Sequence, residues 1–207
     1  MEKLDYLKLI ATPSTKTAFI FFHGWKGNKS SFKSLPNILD IKSIDWYFPE
    51  APYKVEIDSQ KSWAYESSPG VFEIKETKRL IDLFIEENIK PRYDLENVYI
   101  MGFSQGAAVC YELFLNKKYK WGGVFPVGGF LRNFERKIML SEEQKSTPIV
   151  IGHGKKDEII PKEISKKIYR YLLDKGANIE LIQYNGAHKI SIDYLKKIKR
   201  YIQNERR

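Results

Sequence analysis

Asn97-Val98-Tyr99-Ile100-Met101-Gly102-Phe103-Ser104-Gln105-Gly106-Ala107-Ala108-Val109 decides how the rest of the chain is read. Val98 to Met101 is β-branched, aromatic and apolar, a short strand. Ala107 and Ala108 open a helix. Between them Gly102-x-Ser104-x-Gly106 sets a serine between two glycines, the pattern of a sharp strand-to-helix turn that exposes a nucleophilic hydroxyl at the end of a sheet. Such a turn forces its central residue into a strained conformation. Strand and helix can close around it only if the flanking positions carry almost no side chain. An ordinary glycine-rich turn uses the same letters, but the strand before and the helix after favour the catalytic reading.

A serine hydroxyl is a poor nucleophile until a neutral imidazole takes its proton, and an acid must hold that imidazole in one tautomer. Three histidines are available: His23, His153 and His188. Pro148 to Gly152 is a short apolar strand followed by His153-Gly154-Lys155-Lys156-Asp157, and Asn178 to Tyr184 alternates like a strand before Asn185-Gly186-Ala187-His188. Asp157 and His188 therefore fall on loops after consecutive strands, in the order Ser, acid, His of an α/β-hydrolase. The expected triad is Ser104, Asp157 and His188. His153, at a strand end, is expected to brace its loop. His23 follows the apolar run Ala18 to Phe22, where this architecture draws its second oxyanion donor. The expected oxyanion hole is the backbone N–H of Gln105 and of Trp25. The histidines lack metal-ligand spacing and Cys110 has no thiol partner, so no metal is expected, and the chemistry needs no cofactor.

Seven blocks carry a resemblance to the carboxylesterase and acyl-protein thioesterase (phospholipase/carboxylesterase-like) family of small α/β-hydrolases. They are His23-Gly24-Trp25-Lys26-Gly27-Asn28, Phe48-Pro49-Glu50-Ala51-Pro52, Lys61-Ser62-Trp63, Gly102-Phe103-Ser104-Gln105-Gly106-Ala107, Val127-Gly128-Gly129-Phe130-Leu131, His153-Gly154-x-x-Asp157-x-x-x-Pro161 and Tyr184-x-Gly186-x-His188. They run from about Phe21 to His188, nearly the whole chain. The resemblance implies the same triad and places Trp63 on the substrate side. The chain departs from the family where Trp25 stands in a position commonly Leu and Asn28 in one commonly acidic. The oxyanion donor is backbone, so the chemistry survives. The indole of Trp25 is expected to fill volume at the mouth of an acyl channel.

The 207 residues, 43% hydrophobic, suffice for one core, and a single α/β-hydrolase domain over residues 1–207 is expected. Strand and helix alternate, the mark of a mostly parallel sheet with helices on both faces. Strands are expected near Tyr6–Ala11, Ala18–Phe22, Ile44–Phe48, Asn97–Met101, Gly123–Gly128, Ile149–Gly152 and Ile179–Tyr184. Helices are expected near Ser30–Leu39, Phe72–Asn88, from the elbow to Leu115, Lys162–Lys175 and Ser191–Asn204. Pro49–Gly70 and Phe130–Thr147 are long connections at strand ends, expected to wall a substrate pocket. The N-terminus lacks the apolar h-region of a signal peptide, no stretch approaches a membrane span, and one cysteine fits a reducing compartment, so a cytoplasmic location is expected.

The net charge of +9 is spread along helices without a nucleic-acid-binding motif, so no nucleic-acid partner is expected. The surplus would aid transient contact with an anionic membrane surface. The expected partner is a small-molecule or lipid acyl ester, with no oligomeric state implied. The expected activity is hydrolysis of carboxylic esters or thioesters through an acyl-enzyme. The alternatives are an acyl-protein thioesterase or lysophospholipase taking long acyl chains, and a receptor on the same fold without a working triad.

Overall fold

The computed structural model describes residues 2–131 and 139–204. Its centre is a seven-stranded sheet built from β1 (Tyr6–Leu9), β2 (Ala18–Phe22), β3 (Asp45–Pro49), β8 (Val98–Phe103), β9 (Gly123–Val127), β10 (Ile149–Gly154) and β11 (Ile179–Tyr184), in the order β1-β3-β2-β8-β9-β10-β11. Edge strand β1 runs antiparallel to β3; every other pairing is parallel. This is the α/β-hydrolase arrangement that the alternation of elements predicts.

The period-two rule of strands sorts the core into two layers. Ala18, Ile20 and Phe22 of β2, Val98 and Ile100 of β8, and Ile149 and Ile151 of β10 face one side. There they meet α2 (Lys75–Phe84), the helical segment from α3 (Gln105–Val109) through Phe114, and α4 (Lys162–Asp174). Phe19, Phe21, Tyr99, Met101 and Val150 face the other side, against α1 (Leu35–Leu39) and α5 (Ile192–Asn204). Because both faces are covered, β2, β3 and β9 are buried along their whole length.

Several expectations shift on inspection. The helix expected from Ser30 starts only at Leu35, with Pro36 in its first turn. Before it, the Asn28 side chain accepts the N–H of Ser30 and the Asn28 N–H donates to Ser31 Oγ, which holds a turn in place of a helix. Phe72 does not begin a helix either. The Pro49–Gly70 connection and the residues just after it form two small hairpins, β4 (Tyr53–Lys54) with β5 (Lys61–Ser62), and β6 (Tyr65–Ser68) with β7 (Val71–Glu73). Gly70, at φ 76°, makes the second turn, so Val71 to Glu73 are strand.

The helices after α2 and α3 widen into π turns at Ile85–Ile89 and Cys110–Phe114. Of the Phe130–Thr147 connection, residues 132–138 lie outside the described residues. Residues from Ser141 to Thr147 sit at the amino-terminal edge of the sheet, where Ser141 N–H bonds Leu115 O and the buried Gln144 side chain bonds the carbonyls of Lys117 and Tyr119. That portion walls no pocket beside Ser104, which lies at the opposite, carboxyl edge.

Candidate active site

Three strand ends converge at the carboxyl edge. Ser104 follows β8 directly, at φ 55° and ψ −113°, a conformation costly for any residue with a side chain. A Cβ on Gly102 would lie 2.2 Å from Gly106 O, and one on Gly106 would lie 2.1 Å from Phe22 O. The two elbow glycines are therefore fixed by the backbones they touch. Ser104 N–H donates to Val127 O at 2.8 Å, so neighbouring strand β9 fixes the residue's height above the sheet.

Asp157 and His188 come together from the loops after β10 and β11. His188 Nδ1 and Asp157 Oδ2 are 2.7 Å apart. Asp157 Oδ1 accepts the N–H groups of Ile159 and Ile160 at 3.0 and 2.9 Å, while Oδ2 meets the His188 imidazole, with His153 Nε2 farther off at 3.4 Å. The Asp157 side chain is 1% exposed and that of His188 17%. The His188 ring packs on Phe103, the residue before Ser104, with ring centroids 4.8 Å apart. The His188 loop therefore abuts the elbow. Gly128, at φ 56°, is the floor: a Cβ there would stand 3.2 Å from His188 Cε1 and 3.6 Å from Asp157 Oδ2.

The other two histidines give their shortest hydrogen bonds to backbone groups. His153 is fully buried and its Nε2 donates to Ile160 O at 2.9 Å, tying β10 to the acid loop. His23 is 2% exposed, with Nδ1 donating to Gly24 O at 2.7 Å and Nε2 accepting Ala51 N–H at 3.1 Å. Burial drives its pKa down to about 4, so it is a neutral brace near pH 7.

That brace shapes the Gly24-Trp25 loop. Ser104 Cβ lies 3.4 Å from where a Gly24 Cβ would stand, so the loop passes beside Ser104. The Trp25 indole is 58% exposed, with Lys26 Nζ 4.7 Å over its ring. The ring therefore stands mostly open to solvent beside that loop.

Trp63 differs from its expected place on the substrate side. It is 0% exposed, its indole N–H donates to His23 O at 2.9 Å, its backbone N–H donates to Gln105 Oε1 at 2.8 Å, and its carbonyl accepts Thr77 Oγ1 at 2.7 Å. A side chain with no open surface cannot touch a ligand; Trp63 is a clasp between the two loops that flank Ser104. The Gln105 side chain completes the clasp by donating to Ser62 Oγ at 2.9 Å.

Sequence reasoning gave no role to Gly128 or Phe103. The Gly128-Gly129 pair at a strand end was the available signal for the first, and the position beside the elbow serine for the second. Among the described residues, no group of three His, Cys, Asp or Glu side chains gathers to hold a metal.

The family model for phospholipase/carboxylesterase proteins matches residues 9–205. Carboxylesterase SOBER1 of Arabidopsis thaliana is 32% identical over 162 residues, 76% of this chain and 66% of that protein. Acyl-protein thioesterase 1 of Kluyveromyces lactis is 26% identical over 209 residues, 90% of this chain and 91% of that protein. The crystal structure of Arabidopsis SOBER1 superposes with a TM-score of 0.79 at 24% identity, covering 92% of this chain and 99% of that one. Esterase PE8 superposes at 0.85 with 18% identity, covering 98% and 99%; at these identities the superpositions speak for the fold. With the match spanning almost every residue from β1 to α5, the chain belongs to the phospholipase/carboxylesterase family.

Proposed function

We propose that the protein is a serine esterase that hydrolyses carboxylic esters or thioesters of small-molecule or lipid acyl groups through a Ser104–His188–Asp157 triad. The observation that carries this reading is the 2.7 Å pair of His188 Nδ1 and Asp157 Oδ2, set against the elbow by Phe103. A carboxylate on Nδ1 keeps the proton there and leaves Nε2 as the base.

His188 Nε2 takes the Ser104 proton as Oγ attacks the carbonyl carbon. The resulting oxyanion accepts the N–H groups of Gln105 and Trp25, donors fixed before the substrate arrives. The imidazolium, supported by Asp157, hands its proton to the departing alkoxide or thiolate. An acyl-Ser104 ester remains. Water, deprotonated by the same Nε2, then attacks that ester, and the acid leaves as Oγ recovers its proton. Trp63 holds the two loops in register and makes no substrate contact. His153 and His23 brace the loops and take no proton from Ser104.

The relatives named acyl-protein thioesterase favour a second reading within the class, with long acyl chains on a protein or lipid. The exposed rim at Trp25 supports it, because a long chain needs apolar surface outside the reaction centre. The test common to both is a fluorophosphonate probe, which should label Ser104 and fail to label a folded Ser104→Ala variant. Labelling that survives the substitution would overturn the assignment of the nucleophile.

A further inference from the structure

Strand order gives the mouth beside Ser104 two unlike sides. The Gly24-Trp25 loop follows β2, on one flank of the elbow strand β8. The loops of Asp157 and His188 follow β10 and β11, on the other flank. On the β2 side Lys26 is paired with Glu56, Lys29 with Asp5, and Lys54 with Asp58 at 2.8 Å. On the β10–β11 side stand Lys155, Lys156 and Lys189, all exposed. Among the described residues, the carboxylate contacts of these two loops are those of Asp157 with His188 and His153, and none reaches a lysine.

The backbone gathers these lysines. Lys155 N–H donates to Tyr184 O at 2.8 Å and Lys156 N–H to Gly186 O at 2.9 Å, so the Asp157 loop lies along the His188 loop. A Cβ on Gly154 would stand 2.3 Å from both Gly186 O and Ala187 O, so only glycine lets the two backbones meet there. Lys189 N–H donates to Ala187 O at 2.9 Å, and the Tyr184 hydroxyl donates to Lys189 O. Lys189 Cε lies 3.4 Å from where a Gly186 Cβ would stand, which folds its stem back over the residue that Lys156 bonds. Lys156 immediately precedes Asp157, and Lys189 immediately follows His188. The buried Asp157 spends Oδ1 on two backbone N–H groups and Oδ2 on His188. That leaves the exposed Glu158 as the one free carboxylate of residues 153–160 and 185–190, against three lysines. A concave site edged by one sign of charge concentrates ligands of the other sign.

The base decides which half of a substrate meets them. In the reaction proposed above the imidazolium gives its proton to the departing oxygen or sulfur, so that atom must come within hydrogen-bond reach of His188 Nε2. The group attached to it extends over the His188 loop, away from the Gly24-Trp25 loop on the far side of Ser104. We propose that Lys155, Lys156 and Lys189 select esters and thioesters whose alcohol or thiol half carries a negative charge, as a carboxylate, sulfonate or phosphate. This selectivity rests on the esterase reading, because it assigns the leaving half of the same site. A lysine is a point charge on a flexible stem, so the three read charge and tolerate varied shapes.

Three matched esters test it: phenyl acetate, p-acetoxybenzenesulfonate and p-acetoxy-trimethylanilinium, whose leaving phenols are neutral, negative and positive. Dividing each kcat/KM by that ester's rate with imidazole in free solution removes the intrinsic reactivity of the leaving group. At low ionic strength the sulfonate should exceed the cation by about tenfold or more, and added salt should narrow the gap. Lys189→Gln should close part of it, and Lys155→Gln with Lys156→Gln and Lys189→Gln should bring it near parity. Lys16→Gln with Lys118→Gln and Lys175→Gln removes the same charge from the amino-terminal edge of the sheet and should keep the gap. All six side chains are exposed, so both triple variants should melt as the parent does.

Equal normalised constants for the three esters, with phenyl acetate turned over, would overturn the proposal and leave the esterase reading standing. A gap that survives the triple variant at the mouth, or that closes equally in the amino-edge triple, would assign the effect to net charge and also overturn it. So would a charge preference confined to the acid half, seen in monophenyl terephthalate against phenyl benzoate. Turnover of none of the esters, with Ser104 unlabelled by a fluorophosphonate, would sink both readings together.

Discussion

Gly128→Ala separates backbone strain from catalytic positioning with one methyl group. Gly128 sits at φ 56°, where a side chain costs about 1–2 kcal/mol. In a domain of this size each kcal/mol lowers Tm by about 2–4 °C, so a fall of about 2–8 °C is expected from strain. The new Cβ would also stand 3.2 Å from His188 Cε1 and 3.3 Å from Nδ1. Carbon contacts settle near 3.5–4.0 Å, so the imidazole must retreat by a few tenths of an ångström while Phe103 packs against it. A misplacement of about 1 Å can cost about a hundredfold in rate, so a loss of about three- to tenfold in kcat is expected. Gly176→Ala is the control. Its φ is 82°, but the nearest atom to an added Cβ is Lys145 Cδ at 3.8 Å, and the position is at the end of α4, remote from Ser104. Thermal melts and p-nitrophenyl acetate turnover on both variants decide the matter. Both should lose Tm, and only Gly128→Ala should lose rate. Full activity of folded Gly128→Ala, or an equal loss in Gly176→Ala, would refute the reasoning.

The remaining predictions concern the three histidines and their acid. His188→Ala should lower ester turnover by about 10³-fold or more, since triad members act as a unit. Asp157→Asn should cost a large but smaller factor, because the amide can still accept from Ile159 and Ile160 while no longer fixing the imidazole tautomer; steady-state kinetics on folded variants check both. His153→Ala should lower Tm far more than kcat, because it empties a fully buried site and removes the bond to Ile160 O; unchanged Tm with lost turnover would contradict this. His23, held near pKa 4 by burial against about 6.5 when unfolded, makes the unfolded chain the better proton binder between those values. Its contribution is intact above pH 6.5 and falls away as pH drops toward 4, by about 3 kcal/mol at the limit. Denaturant melts from pH 7 to 4.5 should show this decline, and His23→Gln should flatten it.

The parts of the fold fixed by backbone pattern were legible in the chain. Ala18–Phe22 and Ile179–Tyr184 were readable to the residue because apolar β-branched and aromatic runs end where polar or glycine residues take over. The elbow was readable because close backbone contact admits only glycine at 102 and 106, and such a constraint leaves letters in the sequence. What escaped was set by contacts distant in sequence. The hairpins in 53–73 show weak alternation, and their register depends on Lys61 meeting Gly27 and on Tyr53 meeting Tyr65. Trp63 looked like a substrate contact because a tryptophan in a loop near the site can line or brace. Only the positions of His23 O, Gln105 and Thr77 decide for bracing. Gly128 carried no visible role because its steric limit comes from a histidine sixty residues later in the chain.

In the proposed triad the three histidines sort into a base and two braces. A general base needs partial access to the reacting groups and one ring nitrogen committed to an acid. His188 has both, at 17% side-chain exposure and with Nδ1 on Asp157. His23 and His153 stand at equivalent strand ends but point into packed protein. Backbone carbonyls take their N–H groups, and burial keeps His23 neutral. The difference follows from strand order. β2 and β10 are flanked by strands on both sides, whereas β11 is an edge strand. In the proposed triad the base therefore follows the edge strand, where its side chain keeps 17% exposure, and the acid follows the strand one inward, where its side chain is 1% exposed and Oδ1 takes two backbone donors.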